Sequence, residues 1–248
     1  MKYTACFVLA VIIAYPFSRS AAHAGEAFAA VRNDMVAEIE AMVSETSGYT
    51  GIDRLRPPVV QALQRVSRHE FVPAELEAYA YRNQPLAIGH DQTISQPYIV
   101  ALMTELADVD ADSVVLEVGT GSGYQAAVLA EISRHVYTIE IIEVLGQRAE
   151  QTLARLGYDN VSCRIGDGYQ GWPEHAPYDA ILVTAAPEQV PQPLLDQLKP
   201  GGKLVIPVGP AGRVQSLRVL SRDRDGKLEE RDVLPVGFVP LTRDRGPH

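Results

Sequence analysis

The order of apolar and polar positions divides the chain into a helical first part and an alternating second part. From about residue 26 to 45, Val31, Met35, Ile39 and Met42 recur near 3.6-residue spacing, which predicts an amphipathic helix. Pro57-Pro58 opens a second helix over VVQALQRVS, because proline is tolerated in the first helical turn, where its missing N–H would have no partner. A third follows Gln96, with Pro97 at its first position and Ile99, Val100, Met103 and Leu106 on one face. Between the last two, HEFVPAELEAYAYRNQPLAIGHDQTISQP keeps no period and reads as an irregular, working loop.

From Val114 onward short apolar runs alternate with helical ones. Strands are expected at 114–118, 136–140, 161–165, 178–184, 203–208, 214–221 and about 228–234. Helices are expected at about 124–132, 142–156 and 193–198, the last ended by Lys199-Pro200-Gly201-Gly202. That alternation predicts an α/β fold with a mainly parallel sheet covered on both faces. No internal repeat, low-complexity tract or long linker interrupts it.

Composition bounds this picture. At 248 residues and 46% apolar content, the chain can bury the core of one domain. Its start differs: Lys2 precedes an apolar run over 5–17, and Ala22-His23-Ala24 offers small residues at the positions a signal peptidase reads. Residues 1–24 are expected to be a cleaved secretory signal, and 25–248 a single domain with a helical cap and substrate loop (25–110) and a ligand-binding core (111–248). Pro16 and Ser18-Arg19-Ser20 stop the apolar run short of the ~20 residues a span needs, so no stable membrane insertion is expected after cleavage. Loss of Lys2 and Arg19 with the leader takes the net charge from −9 to −11, against a nucleic-acid partner. Cys6 would leave too, so Cys163 is left alone and reads as an inert thiol. The six histidines are scattered without metal-ligand spacing, and no metal is expected.

Chemistry concentrates at the first strand-to-helix junction, LEVGTGSGYQ, where Gly119, Gly121 and Gly123 let the backbone come close to a ligand. Tyr124 stands where a dinucleotide G-x-G-x-x-G needs its third small residue. Glu117 would repel a pyrophosphate but can accept hydrogen bonds from an ammonium. S-adenosyl-L-methionine meets both conditions, since it has no phosphate and carries an ammonium and a cationic sulfonium. Glu140, at the end of the next strand, stands where an α/β nucleotide site puts the carboxylate that accepts two ribose hydroxyls. Asp167, in Gly166-Asp167-Gly168 after the third strand, could hold the adenine edge. Singly, each has a plainer role: Glu140 as an acid at a helix start, Asp167 as a turn former, the glycines as turn punctuation.

The acceptor side is read from two places. Thr184-Ala185-Ala186-Pro187 follows the fourth strand and lacks both a general base and the Asn/Asp-Pro-Pro-aromatic pattern of base N-methyltransferases. An anionic acceptor needs no base, since a carboxylate of pKa ~3.5 is already ionised at neutral pH. Thr93 and Ser95 precede the helix begun by Pro97, so their hydroxyls and the free N–H groups offer a place for an anion, while Ser95 also fits a simple cap. The residues alone leave open a small-molecule carboxylate O-methyltransferase, a non-catalytic S-adenosylmethionine sensor and, more remotely, a dinucleotide oxidoreductase.

PLAIGHDQTISQPYIVALMTEL, VLEVGTGSGYQAAVLAEI, GDGYQGWPEHAPYDAILVTAAPEQVPQPLLDQLKPGGKLVIPVG and FVPLT, in that order, resemble the protein-L-isoaspartate (D-aspartate) O-methyltransferases. The resemblance runs from about residue 31 to 242; the glycine motif marks only the superfamily, whereas TISQP with FVPLT is specific. It implies a class I S-adenosylmethionine-dependent methyltransferase fold, Rossmann-like and seven-stranded, whose last strands depart from the usual order. It implies methylation of the α-carboxylate of L-isoaspartyl residues, with D-aspartyl residues as further acceptors, in damaged proteins and peptides. By similarity Ser95 is the active-site position, with Thr93 and Ile94 beside it, and Ser122, Glu140, Asp167, Gly168 and Thr242 match cofactor contacts. A histidine that some members carry near the helix start is absent; Tyr98 and Val100 stand in that region. The leader is unusual for a family regarded as cytoplasmic, so a cytoplasmic location is the alternative to an exported, periplasmic one. A monomer is expected.

Overall fold

The computed structural model describes residues 18–243. Residues 1–17 of the expected leader lie outside that range, and the expected processing point at 22–24 falls within the first helix, α1 (Ser18–Glu45). The buried stripe of α1 is Met35, Val36, Ile39 and Val43, while Val31 is 44% exposed. The spacing therefore found the helix and placed its inward face part of a turn away. Among the described residues no helix is long and apolar enough to cross a membrane.

The cap continues with α2 (Ser47–Thr50) and α3 (Pro57–Arg65), whose first helical positions are the two prolines. The stretch expected to be irregular contains 3-10 turns and a small antiparallel hairpin, β1 (Leu86–Gly89) and β2 (Gln92–Ile94). His90 and Asp91 form its tip at φ 54° and 56°, a left-handed conformation normally marked by glycine or asparagine, so the turn carries no sequence signal. Then comes α4 (Pro97–Ala107), buried at every position except Ile99, which is half-buried.

The core is one seven-stranded sheet. In chain order its elements are β3 (Val114–Val118), α5 (Tyr124–Ala130), β4 (His135–Glu140), α6 (Glu143–Arg155), β5 (Val161–Ile165), β6 (Tyr178–Val183), α7 (Gln192–Asp196), β7 (Leu198–Val208), β8 (Gln215–Arg222) and β9 (Leu228–Val236). The strand order is β5-β4-β3-β6-β7-β8-β9; the first five are parallel and the last two join as antiparallel neighbours in sequence order. Lys199-Pro200-Gly201-Gly202, expected to end a helix, lies inside β7. There Leu198 pairs with Tyr178 and Lys203 with Ala180, so these residues form a bulge, which is where a strand accommodates proline and a glycine at φ 87°.

Successive residues of the central strands point to opposite faces, and both faces are buried. Val115 and Leu182 join Ile39, Leu63, Met103 and Leu129 in one core that unites the helical cap with the sheet. Leu116 and Ile181 join Ile139, Leu194 and Leu204 in another. Each such side chain contributes roughly 1.5–3 kcal/mol on burial, which explains why these strands read as continuous apolar runs. Strand order reverses between β3 and β6, and a crevice opens beyond their carboxyl ends.

Candidate functional site

The glycine loop after β3 forms one wall of that crevice. Gly119 sits at φ 100°, and a Cβ there would stand 2.5 Å from Thr184 Oγ1, whose hydroxyl donates to the Gly119 carbonyl at 2.6 Å. Gly121, at φ 53°, donates its N–H to Glu140 Oε2 at 2.7 Å. Gly119, Gly121 and Ser122 line the cavity, but Gly123 does not. Gly123 starts α5 at φ 89°, and a Cβ would press on Leu153 and Ala149 at 3.3–3.4 Å, so its task is helix packing.

Glu140 closes β4 with both carboxylate oxygens engaged: Oε1 accepts the Ile142 N–H at 2.9 Å, and Oε2 the Gly121 N–H. Each oxygen keeps a second lone pair, and Glu140 lines the cavity. Asp167 Oδ1 accepts the Tyr169 N–H at 2.9 Å and caps a 3-10 turn, which seats its neighbour Gly168 on the cavity wall. A Cβ on Gly168 would collide with Val118, so only glycine lets this turn lie against β3.

Glu117 is fully buried on the cavity wall. Thr138 Oγ1 donates to its Oε2 at 2.5 Å, and Thr120 Oγ1 lies 2.6 Å from Thr138 Oγ1. Among the described residues its Oε1 has no hydrogen-bond partner. Burial, against the Thr138 hydrogen bond and with the Glu140 charge adding, pushes its carboxyl up to about 8. The folded protein thus keeps a proton that the unfolded chain releases near pH 4.5. This contribution to stability is complete below about pH 4.5 and is lost as pH rises through about 8. Glu117→Gln should accordingly raise the melting temperature of the ligand-free protein at pH 8–9 relative to its effect at pH 5, by a few degrees in a thermal scan. An effect that does not vary with pH would contradict this assignment.

The acceptor-side residues approach from the cap. Thr93 is exposed, Ser95 half-buried and Ile94 buried, and all three line the same cavity as Glu117. Behind them lies a residue the sequence pattern did not single out. Arg68 is fully buried; its Nη2 donates to the Ser95 carbonyl at 2.8 Å, its Nε donates to the Ala80 carbonyl at 2.8 Å, and its carbon lies 4.7 Å over the Tyr124 ring. Burial draws its pKa down to about 10, which still leaves it charged at neutral pH. The guanidinium fixes the backbone that carries Ser95.

The C-terminal FVPLT segment completes the crevice. Ala186 donates its N–H to the Val239 carbonyl at 2.8 Å and accepts the Leu241 N–H at 2.9 Å, which brings Thr242 onto the cavity wall. Thr184 offers a hydroxyl already donated to backbone, and the next three residues, Ala185-Ala186-Pro187, carry no acid or base. Cys163 is half-buried, away from this wall, and burial raises its thiol to about 12, so it is not a nucleophile. Among the described residues no three His, Cys, Asp or Glu side chains gather as metal ligands.

Comparison with known proteins converges on one family. Residues 40–246 match the model described as protein-L-isoaspartate(D-aspartate) O-methyltransferase (PCMT). The chain is 54% identical over 241 residues to protein-L-isoaspartate O-methyltransferase 2 of Syntrophobacter fumaroxidans, covering 97% of this chain and 98% of that one. It is 61% identical over 211 residues to the protein of the same name from a Polaromonas species, covering 85% and 100%. A solved protein-L-isoaspartate O-methyltransferase superposes with TM-score 0.72 at 28% identity, over 85% of this chain and 66% of that one. A Plasmodium falciparum chain described as a beta-aspartate methyltransferase, solved in complex with S-adenosyl-L-homocysteine, superposes with TM-score 0.69 at 24% identity, over 86% and 99%, and shares the fold.

Proposed function

The chain belongs to the protein-L-isoaspartate (D-aspartate) O-methyltransferase family, and from that membership we propose how its own residues carry out the reaction. The protein is an S-adenosyl-L-methionine-dependent enzyme that methylates the α-carboxylate of isoaspartyl residues in damaged proteins and peptides. The methyl ester formed leads through a succinimide to aspartate. The observation that carries this reading is that Thr93 and Ser95 line the same cavity as Glu117, Gly119, Gly121 and Glu140.

S-adenosyl-L-methionine, when bound, supplies an electrophilic methyl group on a positively charged sulfur. The cavity suits it in two respects. Its buried acid, Glu117, has an oxygen with no partner among the described residues, where a bound ammonium would draw the carboxyl back to its charged form, and the glycine wall has no room for a Cβ at Gly119. Glu117 receives the ammonium; Glu140 accepts the ribose hydroxyls through its remaining lone pairs. The Gly119–Gly121–Ser122 backbone, Ile94, Gly168 and Thr242 enclose the rest. Gly123 and Asp167 support this surface from behind by holding α5 and the 168–170 turn.

Ser95 and Thr93 hold the acceptor carboxylate by their hydroxyls. The carboxylate is ionised at neutral pH, so the absence of a base at Thr184-Ala185-Ala186-Pro187 costs nothing. Catalysis is then mainly positioning, worth up to ~7–11 kcal/mol for aligned reactants. Ser95→Ala should slow methylation of an isoaspartyl peptide about tenfold or more while cofactor affinity stays within about twofold, in steady-state kinetics and calorimetric titration. Loss of cofactor affinity instead would move Ser95 to the cofactor side.

Residues 25–110 supply the cap and acceptor loop, and 111–248 the cofactor core, within one domain; the core shared by α1, α3, α4 and β3 supports treating them as a unit. We take the monomer as the working form. The pattern over residues 1–24 supports export, with cytoplasmic residence as the alternative. Intact mass of the protein from its native cells tests this: a chain starting at Gly25 supports export, an intact Met1 start contradicts it.

A further inference from the structure

Beside the cofactor cavity lies another of about 380 Å³, walled by Met42, Pro85, Tyr98, Ile99, Leu234 and Phe238. It shares Thr93, Ser95, Thr184 and Val239 with the first, so it opens on the acceptor side of the site. Ligand clefts run from ~300 to 1,000 Å³, and this chamber has more room than a single carboxylate side chain fills. Among the described residues no charged side chain lines it, in a chain with 31 acidic and 22 basic residues.

The wall is preformed. The Tyr98 hydroxyl lies 2.7 Å from Thr46 Oγ1, and the Tyr98 N–H donates to Asn83 Oδ1 at 3.0 Å. The Phe238 N–H donates to Gln215 Oε1 at 2.8 Å. These polar groups are therefore engaged, and Met42, Pro85, Ile99, Leu234 and Phe238 offer apolar surface to an entrant beside the uncharged amide of Gln96. Ile99 is the half-buried position of an otherwise buried helix, and its side chain belongs to this chamber.

We propose that this chamber receives the side chain adjacent to the isoaspartyl residue and selects apolar, above all aromatic, neighbours over charged ones. The inference rests on the isoaspartyl reading of the site. An aromatic neighbour gains by burying its surface, whereas a lysine or glutamate neighbour gives up hydration and meets no opposite charge.

The test uses the full chain and four isoaspartyl peptides that differ only in the residues flanking isoaspartate: Ala, Phe, Lys or Glu. kcat/KM should be about tenfold or more higher for Phe than for Lys or Glu, with Ala between and the difference mainly in KM. Equal kcat/KM for all four overturns the inference and leaves isoaspartyl methylation standing. Methylation of none overturns both. Ile99→Lys should reverse the order of the Phe and Glu peptides, a gain that a damaged fold cannot produce; an unchanged order removes the neighbour from this chamber.

Discussion

Gly119→Val should weaken S-adenosyl-L-methionine binding by about 100-fold or more in calorimetric titration, a loss of about 2.7 kcal/mol, and should reduce methyl transfer in parallel. Two effects combine. The φ of 100° is one that a β-branched residue does not adopt without strain, costing of order 1–3 kcal/mol. The added Cβ would also stand 2.5 Å from Thr184 Oγ1, which cannot move without releasing its 2.6 Å hydrogen bond to the Gly119 carbonyl. The loop would have to shift into the space the cofactor needs. Gly123→Ala provides the contrast. Its Cβ meets Leu153 and Ala149 beneath α5, so thermal stability should fall more than cofactor affinity.

Glu140→Ala should cost at least about 100-fold in cofactor affinity. The carboxylate holds the N–H groups of Gly121 and Ile142, and hydrogen bonds to a charged group contribute ~1.5–3 kcal/mol each. Its removal leaves two amides on the cavity wall without their acceptor and takes away the group assigned to the ribose. Glu140→Gln keeps one acceptor oxygen and should lie between the parent and the alanine variant. An unaltered affinity in Glu140→Ala would show that the cofactor binds elsewhere.

Much of the core was legible because its signals are local. The bounds expected for β3 and β5 match those found, and Pro57 and Pro97 begin helices where a missing N–H does no harm. The cavity residues named from the glycine loop, Glu140 and the TISQP segment also come together in one place. What escaped depends on distant partners. The strands of the β1–β2 hairpin are four and three residues long and turn through His90-Asp91, so neither period nor composition reveals it. Val31 fits the helical period of α1 as well as Val36 does, and only packing against α3 and α4 decides which is buried.

The site shows the same division. Asp167 follows the expected third strand, and its Oδ1 accepts the Tyr169 amide, a local hydrogen bond that Asx residues commonly make and that spacing does not show. Arg68 is the larger omission. It stands just before the irregular stretch, 27 residues before Ser95, and nothing in the spacing points to a buried guanidinium that grips the Ser95 carbonyl. The Thr120–Thr138–Glu117 chain likewise arises only when β3 and β4 pair, with Glu117 opposite Thr138 in register.

The most direct test of the central claim is transfer of a labelled methyl group from S-adenosyl-L-methionine to two peptides that differ only in aspartate or isoaspartate at one position. With the purified protein, base-labile label should accumulate on the isoaspartyl peptide and not on its aspartyl twin. Cofactor binding without labelling of either peptide, or equal labelling of both, would contradict the assignment of Ser95 and Thr93 to an isoaspartyl carboxylate.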